Sequence, residues 1–310
     1  MTSMLQLLNN DLISTAFAGY QLLDSGQGAK LERIGEHLVQ RPTPAAIWKP
    51  RLEQREWDKA PSICQRSRDG GGVWEHRNGD PGTLWATWPG PVASCRFKLG
   101  FTGFGHCGMF PEQAPVWAWL QQRVAEQQQV SGNPARIANL FAYTGCGSIA
   151  MAAAGAEVFH VDSAKGILSW TKENIAANKG MNGSVRCLHE DARAFLRFSA
   201  KRGFKYHGLV MDPPAWGHGK AKETWLIESD LMELLELSVA CLEPGGFLHL
   251  SCHTPGIQEA ALVACLSQVG SWEQCQHGEF TLAHTAPDGS SDQRLLPAGI
   301  YACASGLVVA

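Results

Sequence analysis

A series of short clusters, each closing an apolar run, carries the residue types from which a binding and catalytic site can be built. Asn139-Leu140-Phe141-Ala142-Tyr143-Thr144-Gly145-Cys146-Gly147-Ser148 reads as a strand ending in a glycine turn that opens a helix. Glycines at 145 and 147 let the backbone approach a ligand closely, and the first turn of the helix offers unpaired amide donors. Gly145-x-Gly147-x-x-Ala150 also satisfies the dinucleotide fingerprint, so a nicotinamide or flavin oxidoreductase stands as an alternative, beside a turn that serves packing alone. Phe159-His160-Val161-Asp162 ends the next apolar run on a carboxylate suited to accept both hydroxyls of an adenosine ribose. In Glu190-Asp191-Ala192, Asp191 either accepts from an adenine amino group or caps the helix that starts at Ala192. Val210-Met211-Asp212-Pro213-Pro214 is of another kind. Consecutive prolines stiffen an extended loop and leave carbonyls and the Asp212 carboxylate facing whatever lies beside the cofactor. Oriented acceptors of this kind suit a base held by its ring edge during in-line group transfer, the alternative being a rigid turn with Asp212 as a local cap.

These clusters need a scaffold that brings the ends of successive strands together. After Pro134 the chain repeats apolar run, turn and helix: strands over Ile137–Ala142, Glu157–Val161, Val185–Leu188, His207–Met211 and Phe247–Ser251, with helices over Ser148–Ala154, Lys165–Lys179 and Leu226–Leu242. The alternation predicts an α/β fold, a mostly parallel sheet with helices on both faces and ligands at the carboxyl ends of its strands. Gly278–His284 and Gly299–Leu307 read as a closing β-hairpin around a turn-rich stretch, Pro287–Asp292. The texture changes near Val130–Pro134, after an apparent helix over Val116–Gln129. Upstream, Trp74–Arg77, Thr83–Trp88 and Val92–Phe101 read as short strands separated by turns. We therefore expect a small β-rich N-terminal domain over residues 1–115, with a substrate-recognition role in view, and a cofactor-binding domain over residues 116–310. Gln40–Lys59, with Arg41, Lys49, Arg51, Arg55, Trp48 and Trp57, reads as a solvated surface connection or, alternatively, an RNA-contacting face.

Composition narrows the classes. The chain has 310 residues, 45% hydrophobic and 18% charged, which fits a folded globular protein and excludes wholesale disorder. A net charge of -3 argues against a partner held chiefly by long-range attraction, so a nucleic acid would need a local basic patch. No apolar run is long enough to span a membrane, and Met1–Leu12 lacks the basic start of a secretory signal. Ten cysteines with no CxxC pair fit scattered reduced thiols and no metal site. A cytoplasmic protein is expected, without a membrane partner; the oligomeric state is not legible.

NLFAYTGCGS, FHVDSAKGILSWTKENIAANK, HEDARAFL and LVMDPPAWGHG together resemble class I S-adenosylmethionine-dependent methyltransferases, and among them the bacterial large-subunit (23S) ribosomal RNA group that includes the cytosine carbon-5 enzymes. The resemblance covers most of Val130–Gly256 and extends upstream to Gly105-His106-Cys107-Gly108-Met109-Phe110-Pro111-Glu112-Gln113, similar to a segment that closes over the cofactor. It implies a Rossmann-like sheet with an antiparallel final pair and S-adenosyl-L-methionine as cofactor. It further implies that Tyr143, Thr144, Gly145 and Gly147 lie along the cofactor, Gly145 and Gly147 on its methionine side. Asp162 would hold the ribose and Asp191 with Ala192 sit by the adenine. Phe110 and Gln113 would cover the pocket, while Asp212, Pro213 and Pro214 would face the substrate. Ala114, where the group has Arg, and Cys146, commonly Gly, depart from the pattern.

The acceptor implied is a base of ribosomal RNA. In the 5-methylcytosine relatives a cysteine after the fifth strand adds to carbon 6 of the ring, and Cys252 fits that position, with Asp212 hydrogen-bonding the cytosine. Cys252 as a small buried core thiol is the plain alternative. Cys252 and His253, adjacent in an extended segment, point opposite ways and do not form a dyad. Transfer to a ring or exocyclic nitrogen, accepted by the Asp-Pro-Pro loop, needs no nucleophile; Ala215 stands where nitrogen-directed enzymes carry an aromatic, and Trp216 follows, either stacking on a flipped base or covering the loop. Lys201, Arg202, Lys205, Lys220 and Lys222 are further cations for phosphate. Protein or small-molecule acceptors, and a non-catalytic binding module, stay open.

Overall fold

The computed structural model describes residues 6–66, 71–219, 224–286 and 291–308. The apolar runs after Pro134 form strands β1 (Arg136–Leu140), β2 (Glu157–Asp162), β3 (Ser184–His189), β4 (Tyr206–Met211) and β5 (Leu242–Cys252), followed by the long hairpin β6 (Ser271–Thr285) and β7 (Ser291–Val308). They are interleaved with helices α1 (Ala114–Ser131), α2 (Cys146–Ala153), α3 (Lys165–Ala177), α4 (Ala192–Lys201), α5 (Ile227–Ala240) and α6 (Glu259–Val269), α1 preceding β1. The strand order is β3-β2-β1-β4-β5-β7-β6, parallel through β5 and antiparallel at β7. The chain order reverses between β1 and β4, where an open α/β sheet forms its crevice. An antiparallel strand inserted last departs from the doubly wound dinucleotide order.

Alternation along each strand divides the core. Ala138, Leu140, Leu209, Met211, Leu248, Leu250 and Cys252 turn toward α4, α5 and α6, where they meet Leu196, Leu234 and Leu262. Ile137, Val158 and Phe247 turn the other way, toward Leu120 of α1 and Met151 of α2. No described helix is long and apolar enough to cross a membrane.

The β-rich N-terminal part is hydrogen-bonded to the C-terminal hairpin. Gln6–Asn9 and Leu12–Ser14 pair with β6, and His284 of β6 stands opposite Leu22 of strand Tyr20–Gly26, from which Ala29–Ile34, His37–Pro42, Ser62–Arg66 and Gly72–His76 continue the sheet. Leu84–Trp88 and Cys95–Leu99 form a separate hairpin. Gln40–Lys59 is not a solvated connection throughout. Arg41 is buried against Glu32, and the Trp57 indole is buried and donates to Asp24 Oδ2 at 3.1 Å. The expectation failed because positive charge in sequence says nothing of a buried carboxylate on the neighbouring strand. Lys201, Arg202 and Lys205 lie between the end of α4 and the start of β4, at the amino ends of the strands, opposite the crevice, and so offer no phosphate contact at the site. Lys220 and Lys222 lie outside the described residues, as do Pro287 to Ser290 of the hairpin turn.

Candidate active site

Beyond the carboxyl ends of β1, β4 and β5 lies a cavity of about 450 Å³, walled by the segments singled out in sequence. Its first wall is the turn after β1. Phe141 and Tyr143 hold positive φ of 53° and 51°, and Gly145, with φ 92°, caps α2. A Cβ on Gly145 would meet Thr171 Cγ2 at 2.8 Å, so glycine is required by space as well as by conformation. Such backbone persists only where its surroundings over-determine it. The Tyr143 amide donates to Asp162 Oδ2 at 2.9 Å, Thr171 Oγ1 donates to the Tyr143 carbonyl at 3.0 Å, and Asn174 donates to the Thr144 carbonyl at 2.9 Å. Behind the turn, Ser148, His160 and Thr171 form a buried chain, and burial lowers the His160 pKa to about 4, keeping the ring neutral.

Asp162 closes β2 and lines the cavity. Its Oδ1 accepts from the Ala164 amide at 2.8 Å, and burial raises its pKa despite these two amide donors. A smaller recess of about 80 Å³ continues past Asp162 and Ser163 to Asp191, Ala192 and Pro214. Asp191 caps α4, accepting from the Ala194 amide at 3.0 Å, so the capping reading and the position beside the recess both hold for it. A glycine turn at a helix start, a strand-end carboxylate and a recess beyond it fit S-adenosylmethionine.

The opposite wall joins residues far apart in sequence. Gln113, 8% exposed, donates from Nε2 to Asp212 Oδ2 at 3.4 Å and accepts at Oε1 from Ser251 Oγ at 3.3 Å. His253 Nε2 lies 3.4 Å from the same Asp212 oxygen, and its Nδ1 lies 2.8 Å from the Ala298 carbonyl. With an oxygen acceptor facing each ring nitrogen, the imidazole is held doubly protonated. Burial opposes that charge, but the Asp212 carboxylate, helped by Glu112 and the Ala298 carbonyl, outweighs it and raises the His253 pKa to about 9. Phe110 stands between Tyr143 and His253, with ring centroids at 5.1 and 6.2 Å. The Asp-Pro-Pro loop is fixed from behind, the Trp225 indole donating to the Pro214 carbonyl at 2.6 Å.

Phe110, Gln113, Tyr143, Thr144, Gly145, Gly147, Asp162, Asp212, Pro213 and Pro214 thus line one cavity, and Asp191 and Ala192 the adjoining recess. Cys252 does not. It is 1% exposed, packed with the α4–α6 core, and burial raises its thiol pKa, the reverse of what a nucleophile needs. The residue expected as a nucleophile, Cys252, is therefore off the cavity wall by strand alternation: Ser251 and His253 face the cavity, and Cys252 the other side of the sheet. Cys146, the thiol at the α2 end of the cavity, is pushed up to about 12 by burial. Trp216 is 60% exposed, beside His218 in a small hairpin outside the cavity wall. His253, Ser251, Asn139 and Phe141 were given no role on the site wall from the sequence. The alternation of β5 was the available signal for the first two.

The S-adenosylmethionine-dependent methyltransferase family model matches residues 62–269. The SAM-dependent methyltransferase from Agrobacterium tumefaciens, a solved structure, superposes with a TM-score of 0.86 at 30% identity, over 99% of this chain and 97% of that one. A further solved chain, complexed with SAH, shares the fold at TM-score 0.66 and 14% identity, over 93% of this chain and 76% of its own. The ribosomal RNA large subunit methyltransferase K/L of Pseudoalteromonas atlantica is 32% identical over 158 residues, 50% of this chain and 21% of that protein. Its counterpart in Pseudomonas aeruginosa is 27% identical over 230 residues, 69% of this chain and 30% of that protein. This chain therefore spans between about a fifth and a third of the length of these curated relatives. With the family model covering two thirds of the chain, and a solved member of the class matching it end to end, the chain belongs to the S-adenosylmethionine-dependent methyltransferases.

Proposed function

We propose that the enzyme methylates a base of large-subunit ribosomal RNA in the cytoplasm, and that the accepting atom is a ring or exocyclic nitrogen. The RNA acceptor is supported by the likeness to the K/L enzymes, which are named for ribosomal RNA. S-adenosylmethionine, when bound, supplies an electrophilic methyl group on a positively charged sulfur. A nitrogen lone pair needs no activating adduct. An exocyclic amine or a ring N–H needs that N–H held and its proton accepted, and the Asp212 carboxylate beside His253 is the acceptor available at that wall. Gln113 aligns the carboxylate from the other side. The observation that carries the choice of nitrogen over cytosine carbon 5 is the burial of Cys252 on the opposite face of β5. Phe110 offers an apolar face against which a base ring is oriented.

The test is transfer of labelled methyl from S-adenosylmethionine to undermethylated large-subunit ribosomal RNA, followed by nucleoside analysis. Label on a base nitrogen is expected. Label on cytosine carbon 5 overturns the choice of atom, and label confined to protein or small molecules overturns the RNA acceptor.

A further inference from the structure

A second cleft, of about 200 Å³, lies in the N-terminal β-rich part and shares two walls, His106 and Phe110, with the cavity that holds Asp212. Its sides come from facing strands. Lys30 and Arg41 are register partners across the hairpin of Ala29–Ile34 and His37–Pro42, and Arg66 ends the strand Ser62–Arg66. Both Lys30 and Arg41 lean on Glu32, which is fully buried, leaving more positive than negative charge at that point. Arg66 is exposed and has no carboxylate partner among the described residues. Glu112, buried, is a second carboxylate at the cleft beside Glu32, so that Arg66 is the cation in excess there. At the mouth stands Phe104, 75% exposed, on the loop whose Gly105 carbonyl accepts from Arg41 Nη1 at 3.2 Å. The field of the cleft reaches the shared wall: burial first, then Arg41, Lys30, His253 and Arg66, lower the His106 pKa to about 4.

An exposed aromatic, Phe104, and an exposed cation, Arg66, on one cleft that borders the cavity supply the combination by which proteins hold single-stranded nucleic acid: rings stack on bases while cations track the phosphates. We propose that this cleft binds the RNA strand next to the target nucleotide, Phe104 stacking on a neighbouring base and Arg66 facing its phosphate, so that the target base turns past Phe110 toward Asp212. The inference rests on the RNA acceptor proposed above and adds where that acceptor lies. It also reconciles an RNA substrate with a net charge of -3, since the cation needed is local.

The full chain is titrated with a large-subunit ribosomal RNA fragment that it methylates, at several salt concentrations, as wild type, Phe104→Ala, Phe104→Trp and Arg66→Gln. Phe104→Ala is expected to weaken RNA binding and raise KM for RNA about tenfold, with Phe104→Trp restoring both. Arg66→Gln is expected to lower the slope of log affinity against log salt by about 0.7. S-adenosylmethionine affinity and the thermal midpoint stay at wild-type values, since both side chains are exposed. Wild-type RNA affinity and salt slope in Phe104→Ala and Arg66→Gln overturn the cleft while leaving the RNA acceptor standing. A wild-type chain that neither binds nor methylates ribosomal RNA overturns both.

Discussion

Two carboxylates in this protein are each paired with a cation, and they serve opposite ends. Glu32, in the N-terminal sheet, is fully buried and accepts from Arg41 Nε at 2.6 Å, Arg41 Nη2 at 2.8 Å, Lys30 Nζ at 3.1 Å and the Tyr20 hydroxyl at 3.0 Å. Burial alone would raise its pKa, but Arg41 and Lys30 outweigh it and hold the carboxyl at about 2. Asp212, at the mouth of the cavity, keeps 29% of its side chain exposed and touches Gln113 and His253 only at 3.4 Å. Glu32 has spent its lone pairs on the fold. Asp212 retains acceptor capacity directed at the cavity, its two partners standing too distant to saturate it. The pairing is the same; the degree of satisfaction separates structural from catalytic use.

Exchanging the two should therefore break different properties. Asp212→Ala is expected to reduce methyl transfer at least about 100-fold, by loss of the proton acceptor, with the thermal midpoint near wild type. Glu32→Ala leaves Arg41 buried without a counter-charge and is expected to cost about 3–5 kcal/mol in denaturant unfolding, while turnover per folded molecule is kept. Equal loss of turnover in both variants would erase the distinction.

Titration sharpens it. His253, facing Asp212, Glu112 and the Ala298 carbonyl, has a pKa raised from its ordinary 6.5 to about 9, so the Asp212–His253 pair is fully present below 6.5 and lost as pH rises through about 9. Transfer is expected to fall on that alkaline limb, and His253→Gln to remove the limb; a limb that survives the substitution assigns it elsewhere. Glu32 acts with the opposite sign. Its contribution to stability is fully present above its ordinary 4.5 and is lost as pH falls toward about 2, an acid limb of unfolding rather than of activity. The smallest effect is expected for Cys252→Ser, with transfer within about twofold of wild type because the thiol faces the core. Abolished transfer in a folded Cys252→Ser protein would return that residue to the chemistry.

Much of the cofactor wall was legible because its signals are local. A glycine with positive φ, a carboxylate at a strand end and an acidic cap before a helix are each written within a few residues, and Gly145, Asp162 and Asp191 stand at the turn, strand end and cap those signals describe. The acceptor wall was not legible in the same way. Gln113 reaches Asp212 across 99 positions, and Ser251 reaches Gln113 across 138, a distance over which no periodicity speaks. Alternation along β5 did separate Cys252 from His253, but parity alone does not say which face receives a substrate.

By itself the sequence determined the alternating strands and helices and the loop chemistry at the strand ends. These follow from hydrophobic period and backbone preference, properties of a chain segment wherever it is placed. Only the tertiary structure decided that α1 and α2, not α4 to α6, cover the face of β5 carrying Ser251 and His253. It likewise decided that Glu32 and Arg41 are buried together, and that the N-terminal cleft borders the cavity at His106 and Phe110. Those outcomes depend on which surfaces exclude water from one another, a choice made among segments a hundred residues apart and written in none of them singly.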